Sequence, residues 1–117
     1  MGNNLLGEAQ VEEVERVIGE FCRTHPPLHI RDKLQYIYRL AGQAVVLAER
    51  RPTILADRGW TESSVAKFRY TKSRESWALY WSDRNGRWHV YDLARPAKRL
   101  ATLFSEVRRD PTGIFFG

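Results

Sequence analysis

The sequence predicts an α+β domain in the order α-β-β-β-β-β-α, with a bent antiparallel sheet of about five strands flanked by an N-terminal and a C-terminal helix. Three observations carry this prediction. Apolar residues recur at helical spacing near both ends, they alternate with polar residues in between, and Trp, Tyr and Phe concentrate in the alternating region. A chain of 117 residues fits a single domain, over residues 1–117, with one core.

The first predicted element is an amphipathic helix over residues 8–23. Its apolar residues return every three or four positions, which is the helical period. They are Val11, Val14, Ile18 and Phe21. We expect the helix to end near Thr24, because Pro26 and Pro27 cannot continue it.

A period of two then predicts a hairpin. Its first strand carries the alternating residues Leu34, Tyr36, Tyr38 and Leu40, and its return strand covers residues 45–50. A two-residue turn at Gly42 and Gln43 fixes the register. The expected pairs are Leu40 with Val45 and Tyr38 with Leu47.

Three further strands are predicted after an irregular stretch over residues 52–64. They cover residues 65–71, 76–83 and 87–92. The turn over residues 72–75 pairs Tyr70 with Trp77 and Phe68 with Leu79. Asn85 and Gly86 tolerate positive φ, which favours a two-residue type I′ turn between the last two strands. That turn would pair Trp81 with Val90 and Tyr80 with Tyr91.

This register divides the side chains between two faces of the sheet. The core face would carry Ala66, Phe68, Tyr70, Trp77, Leu79, Trp81, Trp88 and Val90. The second face would carry Val65, Lys67, Arg69, Thr71, Ala78, Tyr80, Ser82, His89 and Tyr91. We expect both helices to pack on the core face, and a slip of one residue would exchange the two sets.

A second amphipathic helix is predicted over residues 95–109, with Pro96 in its first turn. Its buried stripe consists of Ala97, Leu100, Leu103, Phe104 and Val107. Residues 110–113 end the helix, and the apolar residues 114–116 are expected to fold back onto the domain.

The net charge of +5 is unevenly distributed. Residues 1–23 hold five glutamates and two arginines, a balance of −3, while the remaining 17 basic and nine acidic side chains give +8. Such asymmetry favours a polyanion or an acidic protein surface as a partner, or it reflects only the solvated surface of a basic domain.

The single cysteine fits a reducing compartment, and no apolar run approaches the roughly 20 residues of a membrane helix. We therefore expect a cytoplasmic protein with no membrane partner.

The second face is the candidate binding site. Its basic and aromatic residues are Lys67, Arg69, Tyr80, His89 and Tyr91. Rings that stack on bases, beside cations that meet phosphates, are typical of sequence-tolerant binding to single-stranded nucleic acid. The alternative is that a helix or the first hairpin covers this face.

A metal site and a catalytic site find weaker support in the sequence. A zinc site would need one more ligand than Cys22, His25 and His29 supply, so no metal and no cofactor is expected. A metal-free ribonuclease that uses His89 with Lys67, Arg69 and Tyr80 is a third hypothesis, after nucleic-acid binding and a protein-interaction or homo-oligomeric module. We therefore favour a protein without catalytic residues over an enzyme.

Residues 49–52 (ERRP), 66–70 (AKFRY), 77–91 (WALYWSDRNGRWHVY) and 110–117 (DPTGIFFG) form a recognisable series. Over residues 34–117 the chain resembles a family of short bacterial proteins known only as domain of unknown function number 3024, although Phe116 stands where the family is expected to carry Trp. The resemblance implies a bacterial, cytoplasmic, stand-alone domain. It supplies no activity, cofactor or site residue.

Overall fold

The sheet is built by hairpins alone, because every strand lies beside its sequence neighbours in the order β1-β2-β3-β4-β5. The protein is described by a computed structural model over residues 5–53 and 59–116. The strands are Gln35–Ala41 (β1), Ala44–Pro52 (β2), Trp60–Thr71 (β3), Ser76–Ser82 (β4) and Trp88–Val90 (β5). All pairings are antiparallel, which together with a helix at each end confirms the predicted α+β class.

The predicted register of the first two hairpin pairings is confirmed. Leu40 faces Val45 and Tyr38 faces Leu47. Gly42 has a φ of 57°, in the left-handed region that such a tight turn needs. Between β3 and β4, the confirmed pairs are Tyr70 with Trp77 and Phe68 with Leu79.

The irregular stretch predicted over residues 52–64 is shorter than expected. The strand β2 reaches Pro52 and pairs there with Trp60, where β3 begins. Residues 60–64 are therefore strand, because the nine residues of β2 offer backbone partners for this whole segment. Residues 54–58 of the predicted stretch lie outside the described residues.

The first helix comprises α1 (Glu8–Val14), a π-helical turn (Glu15–Gly19) and α2 (Glu20–Thr24). It confirms the predicted helix and its end near Thr24. The third helical segment, α3 (Leu100–Arg109), completes the helical layer. Among the described residues, none of these helices combines the length and apolar character needed to cross a membrane.

The prediction that the last helix starts near residue 95 is wrong. The N–H of Trp77 donates to the carbonyl of Ala97 over 2.7 Å, and the N–H of Ala97 donates back over 2.9 Å. Because this bridge gives Ala97 an extended partner in the sheet, residues 95–99 cannot take helical hydrogen bonds, and Pro96 precedes the helix. The rest of the predicted stripe is buried, at Leu100, Leu103, Phe104 and Val107.

Both helices pack on the core face, as expected. The ring of Phe21 lies 5.0 Å from that of Tyr36, and the ring of Phe104 lies 6.2 Å from that of Phe68. Between them, Trp77 has no exposed surface. The core is therefore a layer between the helices and one side of the sheet.

The partly buried carboxylate of Glu13 joins three elements, which are the first helix, β4 and α3. It accepts a hydrogen bond from the indole N–H of Trp77 (3.1 Å) and another from the backbone N–H of Leu100 (2.7 Å). Leu100 is the first residue of α3, whose N–H has no partner within its own helix. A side chain of the first helix thus supplies the cap that the last helix lacks.

The tail after α3 folds back onto the domain, which confirms its predicted course. Asp110 ends the helix with a φ of 46°, and its carboxylate accepts the N–H groups of Phe115 (3.0 Å) and Phe116 (2.8 Å). Phe115 is buried, with its ring 5.0 Å from that of Tyr91. The backbone of Asp110 therefore ends the helix, and its side chain turns the tail towards the core.

Candidate nucleic-acid interface

The pairing predicted between the last two strands is wrong by one residue. Tyr80 pairs with Val90 rather than with Tyr91, and Trp81 pairs with His89 rather than with Val90. Ser82 pairs with Trp88 at the turn end of the ladder. Side chains of β5 consequently lie on the opposite faces from those expected.

The cause is the conformation of the turn. The carboxylate of Asp83 accepts the N–H groups of Asn85 (2.8 Å) and Arg87 (3.0 Å), and the Asp83 N–H donates to the Arg87 carbonyl (2.9 Å). Among the described residues of the turn only Gly86 has positive φ, at 81°, whereas a type I′ turn needs two such residues. The hairpin therefore has a three-residue loop with glycine in the left-handed position.

The corrected register removes His89 and Tyr91 from the second face. The His89 ring stacks on Trp81 at 4.7 Å, and its Nε2 lies 2.8 Å from the Asp83 carboxylate. The hydrogen bond with His89 holds the pKa of Asp83 below its usual range. Tyr91 is only 3% exposed, and its hydroxyl donates a hydrogen bond to the carboxylate of Glu106 over 2.9 Å. Burial, reinforced by this hydrogen bond, raises the pKa of Tyr91.

Trp88 takes the place of the lost residues on the second face. The ammonium of Lys67 lies 5.2 Å from the ring centroid of Tyr80 and 5.6 Å from that of Trp88. Both distances are within the range of a cation–π interaction. Of the five predicted site residues, the structure thus brings together Lys67 and Tyr80, with Arg69 exposed two positions along the same strand.

The second face is open to solvent at this cluster. Val90, which pairs with Tyr80, is 61% exposed, and the rings of Tyr80 and Trp88 are half-buried. The ring contacts that the helices make with the sheet all reach core-face residues such as Tyr36 and Phe68. The alternative in which a helix covers Lys67 and Tyr80 is therefore wrong for the described residues.

A second cation–aromatic pair lies on the same face, near the far end of β3. The guanidinium of Arg50 is 5.3 Å from the Trp60 ring centroid. Arg50 and Trp60 share the face of Lys67 because β2 alternates regularly, while a bulge at Leu47/Ala48 absorbs one extra residue of β3. The Arg39–Glu62 ion pair lies between the two aromatic clusters.

The charged groups of this face are mainly positive. The paired strands place Arg39, Arg50, Lys67 and Arg69 on it, together with the carboxylate of Glu62, which forms an ion pair with Arg39. Sequence analysis missed Trp88 and Trp60 as members of this face. The signal for Trp88 was present, since Asp at the first and Gly at the fourth position of residues 83–86 is typical of a type I turn.

The structure does not bring together the residues that the ribonuclease hypothesis needs. His89 lies opposite Trp81 on the core face, whereas Lys67 and Tyr80 face the other side of the sheet. An imidazole on the wrong side of a sheet cannot exchange protons with a substrate held by Lys67.

The Cys22, His25 and His29 set forms no cluster either. Burial raises the pKa of the half-buried Cys22 thiol to about 11, which disfavours the thiolate that metals bind. Within residues 5–53 and 59–116, no three side chains of the His, Cys, Asp and Glu types are grouped as metal ligands.

Comparison with known proteins gives a family but no activity. A family model described as "Domain of unknown function (DUF3024)" matches residues 6–117. No curated protein and no solved structure matches the chain.

Proposed function

The chain belongs to the DUF3024 family, whose description names no activity, and from its own residues we propose that it binds single-stranded nucleic acid on the second face of the sheet. The observation that carries the proposal is the Lys67 ammonium between the rings of Tyr80 and Trp88, at 5.2 and 5.6 Å, on an open surface. The two rings and the cation lie on neighbouring strands of the sheet, β3, β4 and β5.

In this proposal two successive bases stack on Tyr80 and Trp88. Stacking on an aromatic side chain contributes about 1–3 kcal/mol per base and needs unpaired bases, which favours a single strand over a duplex. The ring of Trp60, with Arg50 over it, offers a further stacking position on the same face. Affinity would then arise from several modest contacts along one strand.

The cations of the face neutralise phosphates. Arg69 is exposed and makes no ion pair with the described residues, so its guanidinium is available. Lys67 must exchange its ring contacts for a phosphate, which its flexible four-carbon stem permits. Because counterions leave the phosphates as these cations approach, affinity should fall steeply with salt.

The experiment measures fluorescence anisotropy of labelled single-stranded oligonucleotides, with a duplex of the same length beside them. We expect Trp88→Leu to weaken binding about tenfold, in line with the loss of one stacked base. Lys67→Gln should reduce the salt slope by about one unit. Lys33→Gln is the matched control, because Lys33 is exposed in the turn before β1 and lies on none of the strands.

Absence of binding at low salt would refute the proposal. Equal losses for Lys67→Gln and Lys33→Gln would also refute it, because they would show a response to net charge without a site.

A homo-oligomer, in which the acidic first helix meets the basic body of a neighbour, gains less support. Two of the glutamates of that helix already accept hydrogen bonds within the chain, Glu13 from Trp77 and Glu15 from the Tyr38 hydroxyl. A partner would therefore compete with the bonds that these two carboxylates already make within the chain.

A further inference from the structure

A double cavity lies in the helical layer, between the first helix and α3. Its two parts have volumes of about 350 and 280 Å³ and share Phe21, His25 and Arg108 in their walls. Together they fall within the size range of small-molecule sites. Neither part contains a residue of the second face.

The two parts differ in chemistry. The larger part adds the polar residues Arg16, Glu20 and Thr24. The smaller part adds apolar groups, which are Pro26, Pro27, Tyr36 and Phe116. A polar recess thus adjoins an apolar one, and the side chain of Arg108 borders both.

The His25 ring is held by hydrogen bonds at this junction. The Arg108 guanidinium, which can only donate, lies 3.3 Å from His25 Nε2. On the other side of the ring, Nδ1 lies 2.9 Å from the Thr24 hydroxyl, which donates to the Glu20 carbonyl over 2.8 Å. The chain of bonds fixes the ring, and the ring positions Arg108.

Arg108 carries a positive charge that no described carboxylate neutralises. Its neighbour Arg109 pairs with Glu106 at 2.9 Å, whereas Arg108 lies 5.3 Å from the Phe21 ring centroid and forms no ion pair. Arg16, across the larger chamber, likewise forms no ion pair with the described residues. Two guanidinium groups therefore border one chamber without an internal counter-charge at salt-bridge distance.

We propose that this double cavity binds a small organic anion with a planar ring bearing a carboxylate or a phosphate. The anionic group meets Arg108 and Arg16 in the larger chamber, where guanidinium groups can bind it in a bidentate manner. The ring occupies the smaller chamber, against Phe21, Pro27 and Phe116. The carboxylate of Glu20 also borders the larger chamber and opposes the anion, which limits the affinity.

Binding of phenyl phosphate, benzoate, inorganic phosphate and benzyl alcohol would be measured by calorimetry and by amide NMR shifts on the full chain. Phenyl phosphate or benzoate should bind at least tenfold more tightly than inorganic phosphate or benzyl alcohol, since each of the latter fills one chamber only. Which of the two ring anions binds better distinguishes a phosphate site from a carboxylate site.

Matched arginine variants test the location. Arg108→Gln should weaken binding at least tenfold, while Arg109→Gln, with its side chain paired to Glu106, should leave it unchanged. Glu20→Gln should tighten binding severalfold. All three positions are exposed or partly exposed, so folding can be verified by thermal unfolding.

Equal effects of Arg108→Gln and Arg109→Gln would overturn the inference. It would also fail if ring anions bound no better than inorganic phosphate, or if none bound at millimolar concentration.

Discussion

The two faces of the sheet both carry tryptophan and tyrosine, yet the rings have opposite partners. On the core side the polar tips of the rings meet carboxylates from the helices. These pairs are Tyr38 with Glu15, Trp77 with Glu13 and Tyr91 with Glu106. On the second face the flat sides of the rings meet cations, which are Lys67 over Tyr80 and Trp88, and Arg50 over Trp60.

The difference separates rings that stabilise the core from rings that remain exposed. A buried indole or phenol needs an acceptor for its hydrogen, and the carboxylates of the helical layer satisfy that need. A ring with a cation over it on an open surface keeps its stacking side within reach of a ligand. Aromatic content alone therefore does not distinguish the core face from the face that we propose as a binding site, whereas the charge of the rings' partners does.

The largest expected contrast is between two tryptophans. Trp77→Ala should lower the free energy of unfolding by roughly 3–5 kcal/mol, because it leaves a cavity in the core, where Trp77 is fully buried. Trp88→Ala, on the open face, should lower it by about 1 kcal/mol or less. Urea denaturation measures both, and equal losses would show that the second face is also structural.

A smaller loss is expected from removing the carboxylate partner of Trp77. Glu13→Ala leaves the indole N–H and the Leu100 N–H without their acceptor and should lower the free energy of unfolding by about 2 kcal/mol. The matched control is Glu12→Ala, at an exposed position of the same helix, with a change within about 0.5 kcal/mol. If the two variants unfold at the same urea concentration, the link assigned to Glu13 is unimportant.

The smallest effect concerns alkaline pH. Burial and the hydrogen bond to Glu15 raise the pKa of Tyr38 from 10.0 to about 12. A raised pKa means that the fold favours the neutral phenol, so its contribution to stability is complete below pH 10 and is lost as pH rises towards 12.

Tyr38→Phe should therefore flatten the fall of stability over that range. Chemical denaturation at a series of alkaline pH values tests this, and a fall as steep as that of the unaltered chain would contradict the role assigned to Tyr38. Some pH dependence should remain in Tyr38→Phe, because burial also raises the pKa of Tyr36.

Most of the fold could be predicted because most of it is local. The helix of residues 8–24, the turn at Gly42 and the pairing of β3 with β4 each follow from a pattern within a few residues. The start of α3 could not be predicted in the same way, since the bridge between Trp77 and Ala97 joins distant segments. The spacing of apolar and polar residues does not indicate a backbone bridge between such distant segments.

The candidate site was only partly predictable because it depends on one turn. The alternation of β3 and β4 predicts the face of Lys67, Arg69 and Tyr80, but the Asn85-Gly86 pair predicts a two-residue turn, whereas the side chain of Asp83 stabilises a three-residue loop. The resulting shift of one residue in the register of β5 places Trp88, and not His89, on the second face.

The bonds of Glu13 also bear on the order in which the protein folds. They span 64 and 87 residues of sequence, whereas every strand pairs with its immediate neighbour. Since the entropy lost on closing a loop grows with its length, and contacts between distant segments form slowly, the hairpins should assemble first. The first helix, although earliest in the chain, can dock stably only after the start of α3 is available to its carboxylate. We therefore expect the N-terminal segment to be the last part of the fold to become protected from hydrogen exchange.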